Sequence, residues 1–162
     1  MAGTEATLHM LCGKIASGKS TLAARLGDAP HTGLVSEDRF LARLYPGEIR
    51  TIADYARSAA RLREAKGPHL ADLLRGGVSV VLDFQANTPS ARAWMRQLFE
   101  AADALHQLHY LRVPDAICKQ RLAERNASGA HDYQVSEADF DLFTSYFVAP
   151  TATEGLNIVL HD

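Results

Sequence analysis

The chain has 162 residues, of which 47% are hydrophobic and 22% charged, and these values fit one globular domain and exclude a fibrous or disordered chain. Its 17 Lys and Arg side chains nearly balance 19 Asp and Glu side chains, and the net charge of -2 gives no general attraction for nucleic acid or anionic membranes. Two cysteines, Cys12 and Cys118, are too few for a disulfide framework, and no run approaches the roughly 18 apolar residues of a membrane span. We therefore expect a cytoplasmic protein without membrane association.

The first half of the chain alternates short apolar runs with helical patterns. Residues 7–12 form an apolar run, and after a glycine-containing loop a helical pattern begins near Ser20. A second strand is predicted over 33–36, and a short helix and then a long amphipathic helix follow it. The dipeptide Gly67 and Pro68 predicts that the long helix is interrupted there and that a separate helix continues beyond it.

The second half continues the alternation. Residues 78–84 are almost continuously apolar or β-branched, as in a parallel strand buried on both faces, and 105–113 predict a fourth strand. A helix over 115–125 is followed by a predicted mobile loop over 126–134, because that segment has little periodicity. A helix with a capping box at Ser136 and a fifth strand close the chain. Strands that alternate with helices imply a parallel α/β sheet.

The segment between the first strand and the first helix matches the phosphate-binding pattern G-x-x-x-x-G-K-[ST] without mismatch. Glycines let backbone N–H groups turn towards phosphate oxygens, and the N-terminus of the following helix adds a partial positive charge. Lys19 is expected to reach the β- and γ-phosphates and to act in catalysis, and Ser20 is expected to ligate Mg2+. The predicted nucleotide-binding residues are Gly13, Lys14, Ala16, Ser17, Gly18, Lys19, Ser20 and Thr21.

Positions outside this loop discriminate between classes of nucleotide-binding protein. The Asn-Lys-x-Asp run expected of a GTPase does not occur. Asp83 ends the third strand and is followed by Phe84, whereas motor ATPases usually have a Glu there that polarises water. We predict that Asp83 holds Mg2+ together with Ser20, directly or through water, the alternative being that it merely caps the strand end. These features favour a kinase over a hydrolase.

Three further stretches resemble a known family. They are Ser36 to Arg39, then Asp83 followed by Asn87, Thr88, Pro89, Arg92 and Trp94, and finally Cys118 to Asn126. Together with the phosphate-binding loop they resemble the small P-loop kinases of the polynucleotide kinase and zeta-toxin-like group, from residue 8 to about 161. The resemblance implies a three-layer α/β fold with five parallel strands in the order 2-3-1-4-5. It also implies a single kinase domain over 1–162 with a lid around 115–135.

The same resemblance implies roles for individual residues. Asp38 falls where such kinases carry the general base that acts on the acceptor hydroxyl. Arg121 and Arg125 match arginines of the lid helix that close over the phosphates, and their spacing of four puts them on one helix face. Arg39 and Glu37 depart from the family, which often has a second acidic residue after the base and an Arg before it. The resemblance therefore leaves the acceptor open.

Each of these assignments has a structural alternative. Asp38 could cap the helix that follows it, and Arg121 and Arg125 could form a solvated face with Glu124. A basic group on the long helix could be a solvated face or could receive an anionic acceptor, and it consists of Arg57, Arg61, Arg63 and Lys66.

The sequence thus predicts an ATP- and Mg2+-dependent kinase that phosphorylates a hydroxyl of a small molecule or of a nucleic-acid 5′ end. The small molecule is favoured because the net charge is negative and no nucleic-acid domain is appended. One alternative is a non-kinase protein that binds and hydrolyses ATP as a switch. Another is a toxin-like kinase of nucleotide sugars.

Overall fold

The computed structural model of the protein describes residues 5–129 and 135–162. In chain order, the elements are β1 (Thr7–Cys12), α1 (Lys19–Gly27), β2 (Thr32–Ser36), α2 (Glu37–Leu44), α3 (Ile52–Arg75), β3 (Ser79–Gln85), α4 (Pro89–Ala101), β4 (Leu105–Leu111), α5 (Asp115–Ser128), α6 (Glu137–Ser145), a 3-10 turn (Ala152–Glu154) and β5 (Ile158–His161). Across these two ranges, no helix combines the length and the apolar character needed to cross a membrane.

The five strands form one parallel sheet with the order β2-β3-β1-β4-β5. This order confirms the one implied by the family resemblance. Because all strands run in the same direction, their carboxyl ends meet at one edge of the sheet, which is where ligands bind in open α/β folds. The edge brings together the residues that follow β1, β2, β3 and β4.

Helices cover both faces of the sheet, as the three-layer prediction requires. On one face, apolar side chains of α3 and α4 pack on alternate residues of the central strands, including Leu8, Met10 and Leu82. On the other face, Ala23 of α1 packs against Leu11 and Val81. The alternation of buried residues along β1 and β3 therefore fixes which side chains of each strand face α1.

The prediction of a break at Gly67 and Pro68 is wrong, because α3 is one helix of 24 residues with Pro68 in its interior. An interior proline costs about 3 kcal/mol through one lost hydrogen bond and a steric clash. The buried side chains Leu62, Leu70 and Leu74 lie on both sides of it, and each contributes roughly 1.5 to 3 kcal/mol on burial. Burial on one continuous face therefore outweighs the local effect of proline.

The prediction of a loop over 126–134 is wrong for its first three residues. Residues 126–128 belong to α5, which ends at Gly129 with a left-handed φ of 65°. The Asn126 side chain donates a hydrogen bond of 2.7 Å to the carbonyl oxygen of Val135 and so ties the last turns of α5 to the start of the next described segment. Residues 130–134 lie outside the described part of the chain. The predicted capping box is confirmed, because Ser136 accepts a hydrogen bond from the backbone of Asp139 and Asp139 reciprocates.

A row of three histidines crosses β1, β4 and β5 on the α1 side of the sheet. His9 Nδ1 lies 3.0 Å from His109 Nε2, and His109 Nδ1 lies 3.0 Å from His161 Nε2. Burial and, to a smaller extent, the two histidine neighbours together lower the pKa of His109 to about 4. The central ring is therefore neutral near neutral pH, which lets each contact be a hydrogen bond between a ring N–H and a ring nitrogen.

We expect the protein to lose stability between pH 6.5 and pH 4 in part through His109. The pKa of His109 falls from 6.5 to about 4 on folding. The unfolded chain therefore binds more protons than the folded chain between these values, and the stabilisation by neutral His109 decreases as the pH falls. In His109→Gln, the decrease of Tm with falling pH should be smaller than in the wild type. His69→Gln, at an exposed position, should retain the wild-type pH dependence, and equal slopes in all three proteins would contradict the expectation.

Candidate active site

The phosphate-binding loop joins β1 to α1 with an unusual backbone. Ala16 and Gly18 have φ angles of 62° and 102°, both in the left-handed region. Holding an alanine there costs on the order of 1 kcal/mol, and its packing beside Cys118 and Leu122 of α5 offsets this cost. Left-handed residues of this kind turn successive N–H groups to one side and form an anion-binding concavity.

Gly13 starts this loop at a point where several backbone segments come close together. Its N–H donates to Asn87 Oδ1 and its carbonyl accepts from Asn87 Nδ2, both at 2.9 Å. A Cβ at Gly13 would lie 2.5 Å from Ser17 Oγ and 3.2 Å from the carbonyl oxygen of Leu111. The absence of a side chain at Gly13 therefore allows the close approach of β4 and the loop.

Lys19 folds back over the loop. Its Nζ donates to the carbonyl oxygen of Gly13 at 2.5 Å and to that of Lys14 at 2.9 Å. Burial lowers the pKa of Lys19 to about 8, and the negative charges of Asp83 and Asp38 act in the opposite direction. The two carbonyl dipoles hold the ammonium at the loop, where phosphate oxygens are stronger partners because they carry full negative charge.

Ser20 and Asp83 meet at the edge of the site, as the sequence predicts for metal ligands. Ser20 Oγ donates to Asp83 Oδ2 at 3.1 Å. Burial raises the pKa of Asp83, while the hydrogen bond from Ser20 and the charge of Lys19 lower it. Both side chains offer oxygen donors, and Mg2+ typically takes one or two protein ligands and completes its shell with phosphate oxygens and water. The pair therefore fits Mg2+.

Two adjacent acidic residues at the start of α2 have opposite environments. Glu37 is 2% exposed, whereas Asp38, the second residue of the helix, is an exposed residue. The alternative role of Asp38 as the N-cap is wrong, because Ser36 is the N-cap and accepts from the backbone N–H of Arg39. Asp38 lies two residues beyond Ser36, which pairs with Asp83 in the sheet, so it follows the strand next to β3 at the carboxyl edge.

Glu37 belongs to a buried network that sequence reasoning missed. The hydroxyl of Tyr55 donates to Glu37 Oε1, and Arg63 Nε lies 3.4 Å from Glu37 Oε2. Burial raises the pKa of Glu37, and its contacts with Tyr55 and Arg63 lower it. Tyr55 and Arg63 lie eight residues apart on α3, a spacing that puts them on the same face. That spacing is the sequence signal that could have identified the pair.

The two arginines predicted for the lid lie on α5, which packs on the phosphate-binding loop. Arg121 Nη1 donates to the carbonyl oxygen of Ser17 at 3.4 Å. Arg125 is half-buried, and its Nε has no hydrogen-bond partner among the described residues. Arg121 is thus exposed and also contacts the loop with its guanidinium.

The other predicted loop residues are distributed around this arrangement. Ser20 and Thr21 are exposed in the first turn of α1. The side chain of Lys14 turns away from the loop, because its Nζ lies 2.6 Å from Asp115 Oδ1 and over the ring of Phe147. The amide of Asn87 was not predicted to contact the loop, although its place just after β3 at the carboxyl edge of the sheet was a usable signal.

Comparisons with known proteins agree with this fold. A family profile described as an AAA domain, AAA_33, matches residues 8–150, and no curated protein matches the chain. A candidate kinase from Chloroflexus aurantiacus J-10-fl is 22% identical, with coverage of 99% of this chain and 87% of that one and a TM-score of 0.77. A gluconokinase from Sinorhizobium meliloti 1021 is 16% identical, with coverages of 99% and 84% and a TM-score of 0.61.

A third solved structure contains a nucleotide analogue. It is the APS kinase CysC of Mycobacterium tuberculosis in complex with AMPPNP and APS, which is 19% identical, with coverages of 98% and 90% and a TM-score of 0.60. Together these likenesses establish a P-loop kinase fold for the chain.

We expect Gly13→Ala to weaken ADP binding at least tenfold. The added Cβ would lie 2.5 Å from Ser17 Oγ and 3.2 Å from a backbone oxygen of Leu111, so the loop must shift away from its anion-binding geometry. Gly33→Ala is the matched control, since a Cβ there meets nothing within 4 Å. Calorimetric titration with ADP measures both, and equal affinity of the two variants would show that the loop tolerates the shift.

We also expect the affinity for ADP to fall as the pH rises above about 8. Burial lowers the pKa of free Lys19 to about 8, and bound phosphates favour its charged form, so binding above that pH requires uptake of a proton. Affinity should be constant between pH 7 and 8 and decrease by up to tenfold per pH unit above this range. Lys19→Ala should bind more weakly at every pH and without this dependence. If the ADP affinities of the wild type and of Lys19→Ala changed in parallel with pH, the attribution of this pH dependence to Lys19 would be refuted.

Proposed function

The chain belongs to the AAA_33 family of AAA domains, and from this premise we propose that it is an ATP- and Mg2+-dependent kinase that phosphorylates a hydroxyl of a small molecule. The single observation that carries the proposal is that Lys19, the Ser20 and Asp83 pair, and Asp38 all lie at the carboxyl edge of the sheet. Solved structures of the same fold include a gluconokinase, an APS kinase and an RNA repair complex, so the fold fits either kind of acceptor. The preference for a small molecule rests on the net charge of -2, which gives no general attraction for nucleic acid.

In the proposed reaction, the loop from Gly13 to Thr21 binds the phosphates of ATP through backbone N–H groups. The ammonium of Lys19 leaves the carbonyl oxygens of the loop and pairs with the β- and γ-phosphates. Phosphoryl transfer needs positioning and positive charge around the transferred group more than covalent chemistry by the protein. The Lys19 contacts support this role, since the side chain is already at the mouth of the loop.

Ser20 and Asp83 would hold Mg2+. When bound, Mg2+ neutralises charge on the phosphates of the nucleotide and fixes their orientation. Asp83 would contribute a carboxylate oxygen to the ion, directly or through water. Its hydrogen bond with Ser20 keeps both donors within reach of one ion.

Asp38 is the proposed general base. The oxygen of the acceptor hydroxyl forms a bond to the γ-phosphorus while the bond from that phosphorus to the bridging oxygen of ADP breaks, and the hydroxyl proton passes to the Asp38 carboxylate. Exposure of Asp38 supports this role, because an incoming hydroxyl can reach it. Glu37 is excluded from it by its burial and by its contacts with Tyr55 and Arg63.

Arg121 and Arg125 are proposed to stabilise the negative charge on the transferred phosphoryl group, with α5 as part of the lid predicted around 115–135. Support comes from the contact between Arg121 and the Ser17 carbonyl and from the buried Nε of Arg125. A guanidinium that exchanges a carbonyl partner for a phosphate oxygen gains a charge-assisted bond at that moment. The gain in binding energy is largest in the transition state, because negative charge develops there on the transferred phosphoryl group.

We expect Asp38→Asn to lower phosphoryl transfer about 100-fold while the affinity for ADP and the Tm stay within experimental error. Asparagine keeps the shape of the side chain but cannot accept the proton. Because the acceptor is unidentified, transfer is measured as radioactive phosphate moving from γ-labelled ATP to any compound of a cell-metabolite extract. Asp72→Asn, on the exposed surface of α3, is the control and should transfer at the wild-type rate.

Two outcomes would contradict the proposal. Release of inorganic phosphate alone, at a rate indifferent to the extract and to Asp38→Asn, would identify an ATP-hydrolysing switch protein. Normal transfer by Asp38→Asn would remove the general base assignment and leave the kinase assignment in place.

A further inference from the structure

A cavity of about 150 Å3 lies beside the phosphate-binding loop, between α3 and the end of α6. Its wall includes Tyr55, Arg63, Asn87, Phe143, Thr144 and Phe147, and we refer to it as the side pocket. A larger cavity of about 350 Å3 lies in the groove between α3 and α4, and no residue of the phosphate-binding loop lines it. The side pocket is therefore the cavity that borders the proposed chemistry.

Two sets of contacts connect the side pocket with the reacting groups. Asn87 lines the pocket and makes both hydrogen bonds to Gly13 at the start of the phosphate-binding loop. Tyr55 and Arg63 line the pocket and bind Glu37, the residue before Asp38. The side pocket thus borders the start of the phosphate-binding loop, and its wall contacts the residue that precedes the proposed base.

The polar groups of the pocket favour a ligand with several hydroxyls. Thr144 Oγ1 is buried and has no hydrogen-bond partner in the described part of the chain. Because this oxygen is closed off from solvent, a rotation of the Thr144 side chain would bring it into the pocket, where a ligand hydroxyl could supply the missing partner. After its two bonds to Gly13, the Asn87 amide retains one donor hydrogen and one acceptor lone pair. Gln85 and Thr88 add two further polar side chains to the wall.

The aromatic side chains favour a ligand that also has an apolar face. Tyr55, Phe143 and Phe147 belong to the wall, and rings of this kind contribute large contact area at little entropic cost. Four polar side chains exceed what an aromatic alcohol with one hydroxyl could satisfy. A ring with C–H groups on its faces and hydroxyls around its rim fits both the aromatic and the polar side chains of the wall.

The charges of the wall favour a neutral ligand. Lys14 and Arg63 are the cations that line the pocket in the described part of the chain, and each is paired with a carboxylate. Lys14 Nζ lies 2.6 Å from Asp115 Oδ1, and Arg63 Nε lies 3.4 Å from Glu37 Oε2. An anionic acceptor would have to compete with these carboxylates for the two cations. Breaking the existing ion pairs would offset part of its attraction to Lys14 and Arg63.

The side pocket has room for a ligand of about one ring, since a protein cavity near 150 Å3 holds one benzene molecule. We propose that the acceptor is an uncharged polyol of the size of one ring, such as an unphosphorylated monosaccharide or a cyclic polyol. This inference rests on the proposed kinase function. The reaction converts ATP and the polyol into ADP and a polyol phosphomonoester, and the hydroxyl proton is released through Asp38.

The test compares neutral and anionic acceptors of similar carbon skeleton. The probes are glucose, mannose, galactose, ribose and myo-inositol on one side, and gluconate, glucose 6-phosphate and a 5′-hydroxyl dinucleotide on the other. Acceptor-dependent ADP release, measured with ATP and Mg2+, should give at least one neutral probe a kcat/KM tenfold or more above every anionic probe. Among the radioactive products of a cell-metabolite extract, the main one should be a single-ring polyol phosphate.

Thr144→Val provides an independent readout. It removes the unpartnered hydroxyl at nearly constant shape, so it should raise the KM for the preferred neutral probe about tenfold without changing the affinity for ADP. Its Tm should stay equal or rise, because no hydrogen bond of the protein is lost. Thr32→Val on β2, outside the wall of the pocket, should leave the KM unchanged. An unchanged KM in Thr144→Val would overturn the assignment of the pocket.

Failure of this inference is distinguishable from failure of the proposed function. A preferred acceptor that is anionic, or much larger than one ring, would overturn the inference and leave the kinase intact. Transfer of labelled phosphate to no compound of the extract would refute the kinase function itself, and the inference with it.

Discussion

The reciprocal hydrogen bonds between Asn87 and the backbone of Gly13 are the constraint on which the site depends. They tie the end of β3 to the end of β1 at the point where the phosphate-binding loop begins. Gly13 can occupy this place because it has no side chain to meet Ser17 and Leu111. The Gly13 carbonyl also accepts from Lys19, so one peptide unit orients both the loop and its ammonium. The ends of the adjacent strands β3, β1 and β4 thereby fix the loop geometry before any ligand binds.

The same constraint extends to the far wall of the side pocket. The carbonyl of Asn87 accepts from the N–H of Val148, and Arg92 donates to the carbonyls of Ala86 and Val148 at 2.9 Å each. Arg92 is 1% exposed, and its ion pair with Glu154 at 2.8 Å compensates its buried charge. The segment that carries Phe147 is thus bound to the end of β3. Phosphate loop and side pocket therefore share one rigid scaffold, which suits a reaction in which two substrates must be held in line.

Much of this structure could be predicted from local pattern. The strand and helix order follows from alternating apolar runs, and the phosphate-binding loop follows from its spacing, because both are encoded within short segments. The prediction of a break at Pro68 was wrong because the free-energy cost of an interior proline is outweighed by the burial of leucines of α3. That burial exists only once α3 packs on the folded sheet. The roles of Asn87, Tyr55 and Arg63 were missed for the same reason, since their partners Gly13 and Glu37 lie 74, 18 and 26 positions away in sequence. Their spacing on α3 and the position after β3 indicate a shared helix face and a shared sheet edge, but the partner residues follow only from the sheet order.

The adjacent carboxyl groups of Glu37 and Asp38 show what the folded environment adds to a sequence motif. Both belong to the first turn of α2, and the sequence alone allows either to serve as a base. Contacts with Tyr55 and Arg63 in a buried environment join Glu37, and with it α2, to α3, whereas Asp38 is exposed. Environments that differ this much separate the functions of two like groups. Because Glu37 binds the same two side chains that line the side pocket, a ligand there is coupled through one turn of helix to the proposed base. The contacts of Glu37 with Tyr55 and Arg63 therefore fix the turn that carries the proposed base relative to the wall of the side pocket.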